Sequence, residues 1–301
     1  MKLERIISLA SSPVRLRLLA MIRSLRAVGC DLPVLIIPFS DDPESRFDLP
    51  AGCEWWEDPQ VMAWVREIGA HPMVRKYQCF LIGNYQYVDA DVIFLRNPAE
   101  VLAAESGFVA SCGHWRDPAH TMTEASEAIF RRHSTNWQSR IFNAGQFACD
   151  RPLFKNFAGL RAAVEDPAHL GTCLYPISEQ PGINLLRLAS DVPLSNLTLP
   201  PVNMESTWAG DYPDAAYASY WQSGNPGEAG DRRPYLIHWA GIPMEKERPI
   251  HELYYAHLTP AERADWAAQM RAKAAAPVTW QRHVRRWKNR LKAAGAALRG
   301  N

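Results

Sequence analysis

Two aspartates two residues apart, Asp89 and Asp91, interrupt the apolar run Tyr-Val-Asp-Ala-Asp-Val-Ile-Phe-Leu at 87–95. That composition predicts a strand, and side chains alternate faces along a strand. Both carboxylates would then point one way and Ala90 the other. Like charges on one face of a buried element are costly unless something positive neutralises them. A divalent cation is the natural partner for paired carboxylate oxygens. The competing reading is that one aspartate caps the turn ending the strand and the other is solvated.

Other residues could share that chemistry. His238 sits toward the end of the apolar run Tyr-Leu-Ile-His-Trp-Ala, which a turn at Gly241 follows; it is either a metal ligand or a core histidine satisfied by a backbone carbonyl. Asn143, Ala144 and Gly145 form a small-residue turn between apolar flanks, which lets backbone approach a ligand closely. Glu179 and Gln180 open a helix, where an acid also suits the helix dipole. Arg75 and Lys76 stand one helix before the acids and Arg15 follows the first strand; each could equally lie on a solvated face. Trp208, in a loop rich in Pro and Gly, could stack on a sugar or close the core.

The elements that would position these groups follow from hydrophobic period. Residues 5–10 read as a strand ended by Ser11-Ser12-Pro13, 14–28 as a helix with Leu16, Leu19, Ile22 and Leu25 on one side, and 33–39 as a strand covered on both faces. A helix over 72–84 and a strand over 86–95 follow. Strand, helix, strand in this order predicts an α/β sheet with parallel pairing, in which ligands gather at the carboxyl ends of strands. Further strands are expected at 106–112, 141–149 and 235–240, with a polar flap or helix at 113–140 and irregular loop at 200–234.

The chain has 301 residues and a formal net charge of +1. Nine of its 33 Lys/Arg and none of its 32 acids fall from Arg271 onward. The first 270 residues therefore carry 24 basic against 32 acidic side chains, a net −8. Six cysteines are scattered without a Cys-x-x-Cys pair, which argues against a zinc knuckle or disulfide scaffold and fits a reducing cytosol. No signal-peptide pattern or membrane-spanning run is evident. A cytoplasmic location is expected, and any membrane contact would be peripheral.

Taken in order, these segments resemble the GT-A nucleotide-sugar glycosyltransferases, in particular the glycogenin-like and lipopolysaccharide galactosyltransferase-like group. The resemblance covers about residues 3–250. It rests on Ser11, Ser12 and Arg15 after the first strand, Arg75-Lys76, Asp89-Ala90-Asp91, Phe142-Asn143-Ala144-Gly145, Glu179-Gln180 with Asn184, and His238-Trp239-Ala240-Gly241. It implies a mainly parallel, Rossmann-like central sheet flanked by helices. It also implies a metal-dependent transfer, with retention expected, from a UDP-linked or related sugar to a glycan or lipid-linked acceptor. Asp89, Asp91 and His238 would hold Mn²⁺ or Mg²⁺. Ser11, Arg15, Lys76, Asp89, Ala90, Asp91, Gly241 and Arg248 would contact the nucleotide, and Asn143, Ala144, Gly145, Glu179 and Gln180 the sugar, with Glu179 and Gln180 the catalytic candidates. The family's usual diphosphate-binding lysine falls on Met244, leaving Lys246 and Arg248 as the nearest bases, and Glu179 stands where many relatives carry Asp.

The domain expectation is a transferase body over 1–258 and a helical basic extension over 259–301. From Trp280 the apolar residues Val284, Trp287, Leu291, Ala294 and Leu298 recur at spacings of three and four, with Arg and Lys between them. That pattern predicts a basic amphipathic helix over 277–299 that meets an anionic membrane surface or packs on protein. No nucleic-acid partner is expected. Two other functions compete: a haloacid-dehalogenase-like phosphatase with Asp89 as nucleophile, and a non-catalytic glycan-binding protein on a transferase fold.

Overall fold

The structure is a computed structural model, and it describes residues 1–212, 214 and 232–275. The expected tail helix at 277–299 lies outside the described residues. The chain forms two compact units: Met1–Ile242 with Arg248–Leu258, and Pro243–Glu247 with Thr259–Asn301. In the second unit the described helix is Pro260–Ala275. Among the described residues no helix is long and apolar enough to cross a membrane.

The first unit is built on a seven-stranded sheet. Its strands are β1 (Arg5–Ala10), β2 (Val34–Pro38), β3 (Cys53–Trp55), β4 (Tyr85–Val88), β6 (Phe108–Ala110), β7 (Gln146–Cys149) and β8 (Leu194–Asn196). They lie in the order β3-β2-β1-β4-β7-β6-β8. β5 (Val92–Phe94) and β9 (Leu236–His238) form a separate two-stranded sheet. Pairing is parallel in β3-β2-β1-β4 and in β6-β8, but β7 runs antiparallel to both β4 and β6. The sheet is therefore mixed and mainly parallel, rather than parallel throughout.

Alternation along the central strands buries both faces. Ile7 and Leu35 join one apolar layer with Trp64, Tyr77 and Phe147, while Ile6, Val34 and Ile36 join the other with Leu18, Leu25 and Val88. This is why β1 and β2 read as unbroken apolar runs. The first helix, Arg15–Ala27, follows a single 3₁₀ turn at Ser12–Val14.

Three sequence expectations change in the structure. The strand over 86–95 is two strands in two sheets: the chain leaves β4 at Val88, turns through Asp89-Ala90-Asp91 and resumes as β5 against β9. The segment at 72–84 is a run of 3₁₀ geometry over Pro72–Leu81, whose first turn is capped by His71 Nδ1 accepting from Met73 N. The strand expected at 106–112 shortens to β6, and that at 141–149 shortens to β7 because 141–145 is held by side chains instead of by a ladder. At 113–140 the structure has a helix, Glu124–His133, between 3₁₀ turns.

Candidate metal and donor site

The turn between β4 and β5 places the two aspartates at the carboxyl end of β4, just before β5 begins in the second sheet. Asp89 N donates to Gly145 O at 2.7 Å, and Trp239 N donates to Asp91 O at 3.0 Å, so each aspartate is fixed to a different neighbouring strand or loop. His238 enters from β9, paired opposite Val92. One ligand atom from each of Asp89, Asp91 and His238 lies within 4.8 Å of the others. The acids do share a site, but through this turn and not through strand alternation.

Each carboxylate has one oxygen committed and one turned toward the imidazole. Asp89 Oδ1 accepts from Lys76 Nζ at 2.9 Å and from the Tyr87 hydroxyl at 2.7 Å, while Oδ2 lies 3.7 Å from His238 Nε2. Asp91 Oδ2 is 3.5 Å from Arg17, and Oδ1 is 3.3 Å from His238 Nε2. Burial would raise the Asp91 carboxyl, but His238 and Arg17 outweigh it and hold it below the usual carboxylate range. His238 Nε2 is buried and makes no well-directed hydrogen bond. A buried imidazole nitrogen without a directed partner, facing two carboxylate oxygens, has the chemistry of a cation ligand.

Gly145 completes the cradle. A Cβ there would sit 2.1 Å from His238 Cε1 and 2.6 Å from Asp89 Oδ2. Only a residue without a side chain lets the 142–145 turn close over the triad. The donor set of two carboxylates and one imidazole suits Mn²⁺ or another first-row divalent ion. The residues present therefore fit a divalent cation.

Beneath the triad runs a buried charge chain. Lys76 has no exposed surface; its Nζ reaches Asp89 and also Glu179 Oε1 at 2.5 Å, and lies 4.9 Å from the centre of the Tyr87 ring. Burial alone would lower its pKa, but the two carboxylates prevail and keep it charged. Glu179 precedes the helix Gln180–Ala189 without capping it; its carboxylate goes to Lys76 instead.

The remaining sequence candidates fall into three groups. Ser11 and Ala90 line a cleft of about 370 Å³ at the carboxyl ends of β1 and β4, together with Arg17, Phe39, Met73 and the two aspartates. Asn143 Oδ1 accepts from Gly145 N, Gln180 Oε1 accepts from Ala144 N, and Asn184 bonds both backbone groups of Phe142, so these side chains shape the turn over the triad. Arg15 is exposed and does not line the cleft; Gly241 is an exposed turn residue with φ +69°. The Arg248 guanidinium donates to Tyr212 O at 2.6 Å and to Asp214 Oδ1 at 2.9 Å, which commits it to the loop near 212.

Two contributors were not picked out from the sequence. Arg17 sits two residues beyond Arg15, one of several arginines on the same helix, and nothing in its spacing separates it from them. Tyr87 reads as a strand core residue, and only the turn after Val88 brings Asp89 back over its hydroxyl.

This topology and cleft can be compared with solved structures. The bifunctional glycosyltransferase WbbM superposes with a TM-score of 0.52 at 13% identity, over 89% of this chain and 52% of WbbM. The galactosyltransferase LgtC, solved in complex with donor and acceptor sugar analogues, superposes with a TM-score of 0.53 at 13% identity, over 88% of this chain and 99% of LgtC. The fold is that of the GT-A glycosyltransferases. This chain spans about half the length of WbbM and nearly the whole of LgtC. No protein-family model matches the sequence, and no curated protein matches it by sequence.

Proposed function

We propose that this chain is a metal-dependent glycosyltransferase that takes a nucleoside-diphosphate sugar, with UDP the expected nucleotide, and passes the sugar to a glycan or lipid-linked acceptor. The observation that carries this reading is the convergence of Asp89, Asp91 and His238 beside an open cleft at the carboxyl ends of β1 and β4. A cation held there supplies charge compensation for a departing diphosphate. The resemblance of the motifs and the shared fold support the same reading.

The chain's own residues have distinct tasks in it. Asp89, Asp91 and His238 provide three ligand atoms. Lys76 and Tyr87 occupy one oxygen of Asp89 and so leave the other, on the His238 side, to hold a cation. Arg17 borders the cleft beside Asp91 and adds a permanent positive charge where phosphates would lie. Gln180 and Asn184 lock the 142–145 turn, so in this reading Gln180 acts on the sugar side through the turn it holds, and Glu179 through the charge it shares with Lys76. We propose retention of anomeric configuration by analogy with the resembled group.

Thermal-shift measurement with UDP, GDP and their sugars, with and without Mn²⁺, tests the reading. Stabilisation by a nucleoside diphosphate that requires Mn²⁺ is expected, together with slow donor hydrolysis that releases nucleoside diphosphate. Asp89→Asn and Asp91→Asn should each remove the Mn²⁺-dependent part. A melting temperature unmoved by all of these ligands would overturn the reading, and inorganic phosphate as the released product would favour the phosphatase alternative.

A further inference from the structure

On the side of β9 away from β5 lies an aromatic cluster that the donor cleft does not use. Trp208 forms an isolated parallel bridge with His238, and His238 N donates to Thr207 O at 2.7 Å. β9 thus has β5 and the aspartate turn on one edge and Trp208 on the other. The indole Nε1 donates to Ala240 O at 2.8 Å, which fixes the ring's direction. A Cβ at Gly210 would lie 2.5–2.6 Å from three carbons of the six-membered ring, so the indole rests flat on that glycine. His114 and His120 tilt against it at 58°, with ring centres 5.5 and 5.9 Å away.

This cluster has the chemistry of a carbohydrate platform. Trp208 stays half-exposed, and the His120 side chain is 55% exposed. His120 Nε2 lies 3.5 Å from Asp117 Oδ2, and the Asp211 carboxylate faces Gly113 beside His114. Aromatic faces flanked by carboxylates and imidazoles match a pyranose, which offers C–H faces to a ring and hydroxyls to polar edges. A second metal site is the alternative use of these groups, but among the described residues the one His/Cys/Asp/Glu group close enough to hold an ion is Asp89, Asp91 and His238.

The cluster is also tied to the sugar side of the donor site. Gln180, whose Oε1 accepts from Ala144 N, donates through Nε2 to His120 O at 2.7 Å. One side chain therefore spans the turn over the metal triad and the platform. We infer that Trp208, His114 and His120 form the acceptor subsite, and that they stack a pyranose of the acceptor glycan next to the metal triad. This rests on the transferase reading for its role, but the binding itself is measurable alone.

Saturation-transfer NMR with methyl β-galactopyranoside and methyl β-glucopyranoside as probes, in the presence of Mn²⁺ and UDP, tests it. Saturation of pyranose ring protons is expected in the wild-type protein for at least one probe. It should fall at least fivefold in Trp208→Ala and in His120→Ala, while UDP affinity by thermal shift changes less than twofold. Gly210→Ala, which removes no contacting atom but drives a methyl into the indole, should reduce the signal as well. His120 is exposed, so its variant keeps the test valid if Trp208→Ala fails to fold. No saturation of either probe in the wild type, or signals equal to wild type in all three variants, would overturn the subsite. Loss of UDP and Mn²⁺ binding with pyranoside binding intact would count against the transferase reading and leave the subsite standing.

Discussion

Lys76 is a fully buried cation between two carboxylates, Asp89 and Glu179. Removing one member of such a set leaves uncompensated charge in the interior, which costs about 3–5 kcal/mol. Lys76→Met should lower stability by that order in urea titration, and pairing it with Glu179→Gln should recover part of the loss. An unchanged midpoint for Lys76→Met would show that the charges are not truly desolvated. Gly145 gives a sharper test of geometry. A methyl at that position collides with His238 and Asp89, so Gly145→Ala should keep the far-ultraviolet spectrum and lose the Mn²⁺-dependent thermal shift. Retention of that shift would mean that the triad does not close as described. At this scale the sequence is informative about residue type and silent about pairing. Asp89, Asp91 and His238 are legible because two acids in an apolar run and a histidine ending another are chemically conspicuous. Arg17 is not, since its role depends on where one helix face meets a turn.

The turn between β4 and β5 is the element that makes the site. Periodicity cannot reveal it, because the residues on both sides are apolar and a continuous strand fits them equally well. The change of ladder partner from β7 to β9 is a tertiary event, set by the hydrogen bonds of Asp89 N to Gly145 O and Trp239 N to Asp91 O. The same limit applies to the antiparallel β7: strand order along the chain predicts parallel pairing for the first half, and β1 to β4 obey it, but the direction of a later strand depends on its connections. The short helix Glu252–Tyr255 and the 3₁₀ turn before it carry a different signal. His251 has no exposed surface, and neither ring nitrogen finds a hydrogen-bond partner. Burial, with Arg248 adding to it and Asp214 opposing, pulls its pKa down to about 4. An unfolded histidine titrates near about 6.5, so between those values the unfolded chain binds more protons than the folded one. Stability therefore falls as pH drops from about 6.5 to about 4 and is fully present above that window. His251→Phe should flatten part of this decline in the melting temperature, leaving the shares due to His114 and His257, which burial also pulls down. A variant profile parallel to that of the wild type would exclude His251 as a cause.

At the scale of the whole molecule, charge is unevenly distributed along the chain. The body is acidic, and the last 31 residues hold nine Lys/Arg and no acid. The basic helix that the sequence spacing predicts over 277–299 would bind anionic lipid through combined burial and attraction. Truncation after Ala276 should abolish sedimentation with phosphatidylglycerol vesicles at low salt while the Mn²⁺-dependent nucleotide response survives. Equal sedimentation of the truncated and full-length chains would assign the tail to protein packing instead. Fold and chemistry meet at one point in this molecule, the triad at the junction of its two sheets. The most direct measurement is therefore a titration of Mn²⁺ by electron paramagnetic resonance in the presence of UDP, for the wild type, Asp91→Asn and His238→Ala. One bound ion per chain in the wild type, weakened at least tenfold in each variant, is the expected result; stoichiometric binding that is indifferent to both substitutions would contradict it.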